Sequence, residues 1–502
     1  MQKIDGSIVF SASDITHFSE CQHRTWLDRL NLDVPMEKAL DDDQSKLVQA
    51  KGYAHEGEFF ARLQTQHTNC VEIDTKLSLK QRIAATKQAI QDGVDVIFQA
   101  SLRRGNLIGH SDFLLKLDEK APNGQWLYEV ADTKLARSTK AKFILQLCFY
   151  SDLLSDITGQ LPQHMHVELG SGKRESFRVA DYIYYYRQLL ERYLAFVASY
   201  PEATPPYPSP CNHCSLCPWR ERCEAKRIKD DHLSAVANIS RQQIVRLEKG
   251  GINTLAKLAN SAEQTNSTEQ TTVAKLPVET LNKLRQQAAL QLYERITGEQ
   301  KVVVLAIPEE SVRGFARLPQ PDEGDLFFDM EGNPMHEGGL EYLFGIYYFD
   351  DAKPIFTPFW GHDREQERQA FSDFMDFVVA RKARFPSMHI YHYANYENAA
   401  LKRLMTLHGV KESAVDDLLR EHRLVDLYKV VREGIRISKP SYSIKAVEAF
   451  MQKNAQVRLR KQRIASSCMS SGAKAVIQIY WNLSANTMKT TVDRHGNCVN
   501  GC

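Results

Sequence analysis

The sequence predicts an α/β fold class in which a helical part separates two α/β parts. Three observations predict this organisation: strand and helix patterns alternate in residues 1–228, helical patterns alone occupy 232–298, and the mixed pattern returns in 300–450. The length of 502 residues also fits several domains, since a domain takes roughly 100–200 residues. The tail, 451–502, has a different composition from everything before it.

Composition and charge exclude some classes of protein. The chain is 43% hydrophobic and 25% charged, which is ordinary for a globular protein. Because there is no long apolar run, and because "MQKIDGSIVFSASD" at the N-terminus lacks the apolar core of a signal peptide, we expect a cytoplasmic protein without a membrane partner. The first 450 residues carry 56 basic and 61 acidic residues, a net charge of −5. Any nucleic-acid-binding surface must therefore be local.

The first α/β part contains clear strand and helix patterns. We predict neighbouring strands at "VIFQASLRRGNLIGHSDFLLKLD" and "WLYEVADTKLA", which are rich in apolar and β-branched residues. A helix at "AKFILQLCFYSDLLSDI" follows, and "HMHVELGSGKRESFRV" predicts a hairpin around Gly170–Gly172. A second helix is predicted at "DYIYYYRQLLERYLAFVASY".

Acidic and basic residues lie near the ends of these strands. Asp132 and Lys134 are two apart in "YEVADTKLA", so they share one face of a strand, and a neighbouring strand can bring Asp112 of "IGHSDFL" beside them. Two close carboxylates favour Mg²⁺ or Mn²⁺, and an adjacent lysine can orient the attacking water, as metal-assisted phosphodiester hydrolysis requires. The alternative for a D-x-K triplet is a solvated surface face.

Four cysteines lie within the fourteen residues of "PCNHCSLCPWRERC", at Cys211, Cys214, Cys217 and Cys223. Cytoplasmic thiols stay reduced, so this cluster predicts metal or iron–sulfur ligands rather than disulfides. Zinc is the main rival of iron–sulfur because four-cysteine sites bind it well, and His213 is a further possible zinc ligand.

The motifs "GYAHE", "GHSDF", "VADTK" and "QLCFY", in this order, resemble the RecB-type nucleases of the PD-(D/E)XK superfamily. The nearest varieties are the CRISPR-associated RecB-like exonucleases and the nuclease domain of AddB, and the resemblance covers about residues 8–225. It implies a restriction-endonuclease-like fold. It also implies that the catalytic Mg²⁺ or Mn²⁺ is bound by His55, Asp112 and Asp132, that Lys134 serves the attacking water, and that Gln146 and Tyr150 support the site.

The same resemblance implies a role for the cysteines. In those families one N-terminal cysteine joins three C-terminal ones to hold a structural [4Fe–4S] cluster. The implied ligands here are Cys21, Cys214, Cys217 and Cys223, with Zn²⁺ as the alternative occupant. Such a cluster would join the start of the chain to the end of the first domain.

The helical part, 232–298, contains "SRQQIVRLEKGGINTLAKLAN" and "VAKLPVETLNKLRQQAALQLYERITG", which predict two helical pairs. The first pair breaks at Gly250–Gly251 and resembles a helix–hairpin–helix module. Such modules bind nucleic-acid backbones through amides at helix N-termini. An ordinary helical linker is the alternative.

The second α/β part starts with three predicted strands, "DLFFDMEGNP", "YLFGIYYFD" and "KPIFTPFW", followed by a helix at about 364–382 and a strand at "MHIYHYAN". Asp329 and Glu331 lie two apart on the first strand, and "LFF" before them indicates a buried strand. This D-x-E pair resembles the first motif of RNase H-like DEDD exonucleases, over about residues 322–450. By that resemblance Asp329 and Glu331 bind metal, and Glu397 and Asp426 complete the catalytic set, with Glu397 in place of the usual aspartate.

The combination of these parts resembles a bacterial family of RecB-like nucleases whose longer members carry a superfamily I helicase. The family's last catalytic motif, Tyr-x-x-x-Asp, is absent, and residues 451–502 contain eight Lys and Arg but a single acid, Asp493. A shifted reading frame across Asn486–Cys502 permits "YNEDDCRSTWQLRQWL", which restores the motif. We therefore expect a frameshift near Phe450, a disordered out-of-frame tail and an incomplete DEDD-type site. A genuinely divergent tail is the alternative.

The leading prediction is a metal-dependent nuclease that hydrolyses single-stranded DNA exonucleolytically through the N-terminal site, in DNA repair and with a helicase partner. Two alternatives remain open. One is a nucleic-acid-binding remnant without activity, and the other is a 3′ exonuclease that acts through the RNase H-like domain.

Overall fold

The structure is a computed structural model that describes residues 1–39, 43–136, 138–261, 273–306, 311–333, 336, 338–351 and 353–447. The tail 451–502 thus lies outside the described residues. The chain divides into two compact units, which are Met1–Lys226 with Pro334–Gly339, and Arg227–Asn333 with Leu340–Cys502. The helical part and the second α/β part consequently belong to one unit.

A short hairpin opens the first unit, formed by β1 (Gln2–Ile4) and β2 (Ser7–Val9). Its main sheet has six strands in the spatial order β3-β4-β5-β6-β7-β8. These strands are β3 (Cys70–Glu72), β4 (Val96–Arg104), β5 (Leu107–Lys120), β6 (Trp126–Lys134), β7 (His164–Leu169) and β8 (Arg174–Arg178). β6 pairs antiparallel with β5 and parallel with β7, so it lies inside the sheet.

Seven helices accompany this sheet. They are α1 (Ala12–Glu20), α2 (Gln22–Leu30), α3 (Asp43–Gln66), α4 (Leu79–Gln91), α5 (Ala141–Thr158), α6 (Ile183–Ala198) and α7 (Arg220–Lys229). α5 connects the parallel strands β6 and β7, and Leu147, Leu153 and Leu154 on it are fully buried in the main core. The strands and helices predicted for this part are confirmed, and α5 is placed to support residues of β5 and β6.

The predicted hairpin around Gly170–Gly172 is confirmed as β7 and β8. Gly172 has φ +73°, a conformation that favours glycine. A Cβ at Gly170 would approach the backbone oxygen of Leu135 to 3.0 Å, so only glycine lets the end of β7 pass this close to the end of β6. The Gly170 N–H donates to the Lys134 carbonyl at 2.7 Å, which fixes the backbone at the lysine.

The helical part consists of α8 (Arg241–Lys249), α9 (Leu255–Asn260) and α10 (Val278–Thr297). The predicted break at Gly250–Gly251 is confirmed, and Gly251 has φ +81°. The second predicted pair is wrong, since this segment forms one long helix. No Gly or Pro lies inside α10, so nothing interrupts it until Gly298, which ends the helix with φ +72°.

The second unit contains a five-stranded sheet in the order β12-β11-β10-β13-β14 and a separate pair, β9 with β15. The strands are β9 (Val302–Val304), β10 (Leu326–Asn333), β11 (Leu340–Asp350), β12 (Lys353–Trp360), β13 (Ile390–His392), β14 (Leu424–Asp426) and β15 (Ile435–Ile437). The helices are α11 (Arg364–Arg384), α12 (Tyr396–His408), α13 (Glu412–Arg420) and α14 (Leu427–Gly434). The predicted strands and the helix near 364–382 are confirmed.

β10, β13 and β14 are parallel, so their carboxyl ends meet at one edge of the sheet. Beneath them Phe328 stacks on Phe374 with ring centroids 4.5 Å apart, inside a buried core. This apolar layer holds the strand that carries Asp329 and Glu331. Within the described residues, no helix is long and apolar enough to cross a membrane.

Candidate active site

Asp112, Asp132 and Lys134 lie together on the central strands of the first unit. Phe113 of β5 is paired with Ala131 of β6, so the antiparallel register sets Asp112 next to Asp132. The Thr133 N–H donates to Asp112 Oδ2 at 2.9 Å, and the Thr133 hydroxyl donates to the same oxygen at 3.2 Å. Lys134 Nζ forms an ion pair with the Asp132 carboxylate. The predicted shared face of Asp132 and Lys134 is thus present.

The carboxyl groups of this cluster are shielded from water, and their burial shifts the pKa values around them. Asp132 is fully buried, and its carboxylate has two polar partners, the Lys134 ammonium and the Asp112 carboxyl. Burial, and then the neighbouring Asp132 carboxylate, raise the pKa of Asp112 well above its usual value. Burial opposes the charge on Lys134, but the carboxylates of Asp132 and Asp112 outweigh it and raise the pKa of that lysine. The site therefore combines the ammonium group of Lys134 with two carboxyl groups whose oxygens can bind a metal.

Gln146 and Tyr150 face the same cluster from α5. Gln146 Nε2 donates to the Tyr150 hydroxyl oxygen at 2.9 Å. Burial, and then the charge of Asp132, raise the pKa of Tyr150 well above its usual value, so the phenol stays protonated. A Cβ at Gly109 of β5 would come within 2.9 Å of Tyr150 Cδ1, so the glycine leaves the space that the tyrosine ring occupies.

α3 carries His55 and Glu56, of which Glu56 interacts with the carboxylates and His55 is the one that sequence reasoning singled out. His55 Nε2 is buried and has no hydrogen-bond partner in the described part of the chain. Its neighbour Glu56 was missed, although burial and the charge of Asp132 raise its pKa. Gln99 Nε2 donates to Glu56 Oε2 at 3.1 Å.

Gln99 has φ +59°, which is unusual for a residue with a side chain. It lies between Phe98 and Ala100, whose partners are Phe113 and Ser111, so the register of β4 with β5 places it opposite Asp112. The "HE" of "GYAHE" was the available signal for Glu56, whereas the positive φ of Gln99 has no signature in the sequence.

The cysteines of the first unit come from both ends of the domain. Trp219 Nε1 donates to Asp28 Oδ1 at 2.8 Å, which ties the later segment to α2. Cys211 Sγ and Cys214 Sγ are 3.8 Å apart. Burial, and then the neighbouring thiols Cys214 and Cys21, raise the pKa of Cys211 to about 11.

Cys217 is buried with Leu27 and Trp219, and Cys223 packs on the edge of that cluster. His213, by contrast, is engaged through both ring nitrogens, by Glu20 at 2.9 Å and by Arg24. It is therefore unavailable as the zinc ligand that we considered from the sequence. Cys148 is buried and Cys70 half-buried, away from this arrangement.

A second carboxylate site lies at the shared strand edge of the second unit. Asp329 is on β10, and Glu397 is on the first turn of α12, which follows β13. Burial, and then the charge of Glu397, raise the pKa of Asp329 to about 7. His392 Nδ1 at the end of β13 is 3.4 Å from Glu397 Oε2, and both side chains are buried. The predicted pairing of Asp329 with Glu397 in one site is thus present.

Glu331 adjoins a network that sequence reasoning missed. Burial, and then the charge of Glu341, raise the pKa of Glu331. Glu341 accepts a hydrogen bond from the Tyr396 hydroxyl at 2.8 Å and forms an ion pair with Arg403. A Cβ at Gly332 would lie 2.7 Å from the Tyr396 oxygen, so the bulge beside Glu331 requires a residue without a side chain.

Asp426 accepts backbone hydrogen bonds that stabilise the structure around the second site. Its Oδ1 accepts the Tyr428 N–H at 3.0 Å as the N-cap of α14, and it accepts the Ala394 N–H at 3.0 Å. Ala394 has φ +74°, so Asp426 stabilises a strained turn just before Glu397. Asp426 therefore positions the turn before α12 as well as lying at the strand edge.

Neither site forms a closed metal cage. Across the described ranges, no three His, Cys, Asp or Glu side chains converge closely enough to hold a metal ion. The ligand sets expected from the sequence, around Asp132 and among the cysteines, therefore stay predictions. A carboxylate pair remains in each unit, and Mg²⁺ commonly binds through one or two carboxylates with water and substrate phosphate.

Residues 326–464 match the model of a protein family, RNase_H_2, described as part of the RNase_H superfamily. The match contains Asp329, Glu331, Glu397 and Asp426, and it extends past Phe450. It confirms an RNase H-like domain of nuclease type in the second unit, and such nucleases typically use divalent metals such as Mg²⁺. A search of curated proteins finds no match to the chain. The RecB-like, helix–hairpin–helix and iron–sulfur assignments stay predictions.

Proposed function

We propose that the protein is a metal-dependent nuclease that hydrolyses the phosphodiester bonds of single-stranded DNA exonucleolytically through the Asp112–Asp132–Lys134 site. The observation that carries the proposal is a pair of buried carboxyl groups, in which fully buried Asp132 lies beside Asp112 and has one cationic partner among the described residues, Lys134. Burying an ionised carboxylate is costly unless a cation compensates it. One lysine and a divalent metal together supply that compensation for the two carboxylates.

The donor set fits Mg²⁺ or Mn²⁺. Asp112 and Asp132 offer hard oxygen ligands. His55, whose Nε2 is buried without a partner among the described residues, is added as a ligand by the family resemblance alone. When bound, the metal would polarise the phosphate and lower the pKa of the attacking water. The protonated Lys134 holds that water by donating to it and offsets the charge that develops on the phosphate. Tyr150 keeps its proton and, with Gln146, fixes the wall of the site.

The RNase H-like domain is a second candidate for the nuclease activity, as a 3′ exonuclease. The observation that favours it is the Asp329–Glu397 pair at the strand edge, together with the family match over this domain. Two adjacent carboxylates of this kind are suited to bind a divalent ion. We infer that this site contributes less than the N-terminal one, because the family's final Tyr-x-x-x-Asp motif is missing from the sequence. A nucleic-acid-binding remnant without activity is the other alternative.

We further propose that Cys21, Cys214, Cys217 and Cys223 hold a structural [4Fe–4S] cluster. The approach of thiols from both ends of the domain supports a metal there. Zn²⁺ is the rival: thiolates bound to zinc at about 2.3 Å in a tetrahedron lie about 3.8 Å apart, and the Cys211–Cys214 separation is 3.8 Å. Iron, sulfide and zinc analysis of protein purified without oxygen, from the wild type, Cys211→Ser and Cys223→Ser, separates the two. Iron lost only in Cys223→Ser supports the cluster, and zinc lost only in Cys211→Ser refutes it.

By resemblance we also propose a cytoplasmic role in DNA repair together with a helicase. In longer members of the resembling family that helicase is part of the same chain. The nuclease proposal itself does not depend on this partner.

The decisive experiment follows cleavage of end-labelled single-stranded DNA in Mn²⁺ by the wild type, Lys134→Ala and Asp329→Ala. Lys87→Ala is the matched control, because Lys87 is an exposed lysine of α4 in the same unit. We expect Lys134→Ala alone to lose activity, by about a hundredfold or more. If only Asp329→Ala loses cleavage, the activity belongs to the RNase H-like domain. Equal activity in all four proteins would indicate a contaminant and refute the proposal, and no activity in any of them would favour the binding remnant.

A further inference from the structure

A large groove lies within the second unit, with a volume of about 1070 Å³. This volume is at the upper end of the roughly 300–1,000 Å³ of small-molecule pockets and has room for a short segment of a polymer. Its walls come from α10, the segment before β10, the turn before α12, α14 and β15. We call it the basic groove, because its described lining contains Lys283, Arg313, Arg317, Lys429, Arg432 and Arg436.

Three acids also line the basic groove, and each is already engaged. Glu433 accepts a hydrogen bond from Arg317 Nε at 2.7 Å. Glu279 forms an ion pair with Lys283 at 2.7 Å. Asp426 caps α14. The remaining cations therefore set the electrostatic character of the lining, which is positive although the first 450 residues of the chain are acidic overall.

Arg313, Arg432 and Arg436 form no ion pair with any residue that the structure describes. Arg436 is half-buried, and its Nε donates to Gln286 Oε1 at 3.1 Å. Burial lowers the pKa of its guanidinium, because the cation is partly removed from water without a carboxylate to compensate it. A guanidinium in this state gains more from an incoming phosphate than one in open water does.

An aromatic ring and the carboxylate site adjoin these cations. The Arg432 guanidinium lies 5.9 Å from the centroid of the Tyr428 ring, which also lines the groove. Aromatic rings beside a cationic groove stack the bases of single strands. Asn395 lines the groove as well and is the residue just before α12, whose first turn carries Glu397. Asp426, at the carboxyl end of β14, also lines the groove. A strand in the groove would thus reach the sheet edge at which the Asp329–Glu397 pair lies.

We propose that the basic groove binds the phosphodiester backbone of single-stranded DNA and leads the strand to the Asp329–Glu397 site. Arg432 and Arg436 bind phosphates, and Tyr428 stacks on a base. The identity of the ligand rests on the proposed nuclease function. Binding is nevertheless separable from cleavage, since without a divalent metal the strand binds and is not cut.

The test measures fluorescence anisotropy of labelled oligo-dT with the full chain in EDTA, over a range of salt concentrations. The variants are Arg432→Glu and Arg436→Gln. Arg368→Ala is the matched control, because Arg368 is an exposed arginine of α11 outside the groove. Arg432 is exposed, so its reversal leaves the fold intact, and thermal melting checks both variants.

We expect each groove variant to weaken binding about three- to tenfold and to reduce the slope of log affinity against log salt by about 0.7 for each phosphate that the variant no longer neutralises. The control should bind as the wild type does. Wild-type affinity and slope in both variants would place any binding elsewhere and overturn the proposal, as would a wild type that does not bind oligo-dT. If Lys134→Ala loses Mn²⁺-dependent cleavage but still binds oligo-dT through the groove, both proposals stand. If Lys134→Ala loses cleavage but the Arg432 and Arg436 variants bind DNA as the wild type does, the groove proposal is overturned and the nuclease proposal stands.

Discussion

Replacing Asp329 by Asn should stabilise the metal-free protein above neutral pH. Burial, and then the charge of Glu397, raise the pKa of Asp329 from 3.8 to about 7 in the folded chain. Between these values the folded state binds a proton that the unfolded chain has released. Protonation of Asp329 therefore contributes to the free energy of unfolding. This contribution is complete below pH 3.8 and is lost as the pH rises through about 7.

The size of the effect follows from the shift. About three pKa units at 1.36 kcal/mol each give roughly 4 kcal/mol as an upper limit. Because relaxation of the charged site relieves part of this cost, about 2 kcal/mol is the expected gain for Asp329→Asn. For a unit of this size that gain corresponds to about 4–8 °C in melting temperature.

The assay is thermal unfolding in EDTA at about pH 5 and about pH 8, where the linkage differs most. Asp417→Asn is the control, because Asp417 is an exposed acid of α13 in the same unit. Asp329→Asn should melt above the wild type at the higher pH, with a smaller difference at the lower pH, while the control matches the wild type. Equal melting of Asp329→Asn and wild type at the higher pH would refute the reasoning.

Adding Mg²⁺ at the higher pH extends this test to the metal. A cation that binds only the folded site raises the melting temperature by mass action. The wild type should gain stability, and Asp329→Asn should gain much less. An equal gain in both proteins would show that the stabilising metal binds elsewhere.

Three further predictions concern other parts of the chain. Gly109→Ala should lower N-terminal cleavage about tenfold or more through a displaced Tyr150 ring, since its Cβ would come within 2.9 Å of that ring; a wild-type rate in the cleavage assay would contradict this. Glu56→Gln should move the acidic limb of the pH–rate profile to lower pH, because Glu56 helps to raise the pKa of Asp112, and an unmoved limb would exclude this influence. The genomic nucleotide sequence across codon 450 should contain a single-base shift that opens the frame of the restored Tyr-x-x-x-Asp motif, and if it does not, the frameshift near Phe450 is wrong.

Local patterns in the sequence were sufficient for most elements of both sheets. The alternation around "VADTK" predicts a strand with Asp132 and Lys134 on one face, and the structure has them in an ion pair. The break at Gly250–Gly251 was readable because glycine ends helices. The wrong prediction, a second helical pair, overlooked that α10 contains no residue to interrupt it.

The sequence by itself determined the elements, the paired acids on single strands and the thiol-rich segment, because each depends on neighbours within a few residues. Tertiary structure alone decided which groups from distant segments meet. It brought Glu56 and Gln99 together at the first site, engaged both nitrogens of His213, and made Asp426 the N-cap of α14. It also gathered cations from α10, α14 and β15 into one groove, although the first 450 residues carry a net charge of −5. Burial and long-range charge depend on packing between segments far apart in the chain, and no local pattern encodes them.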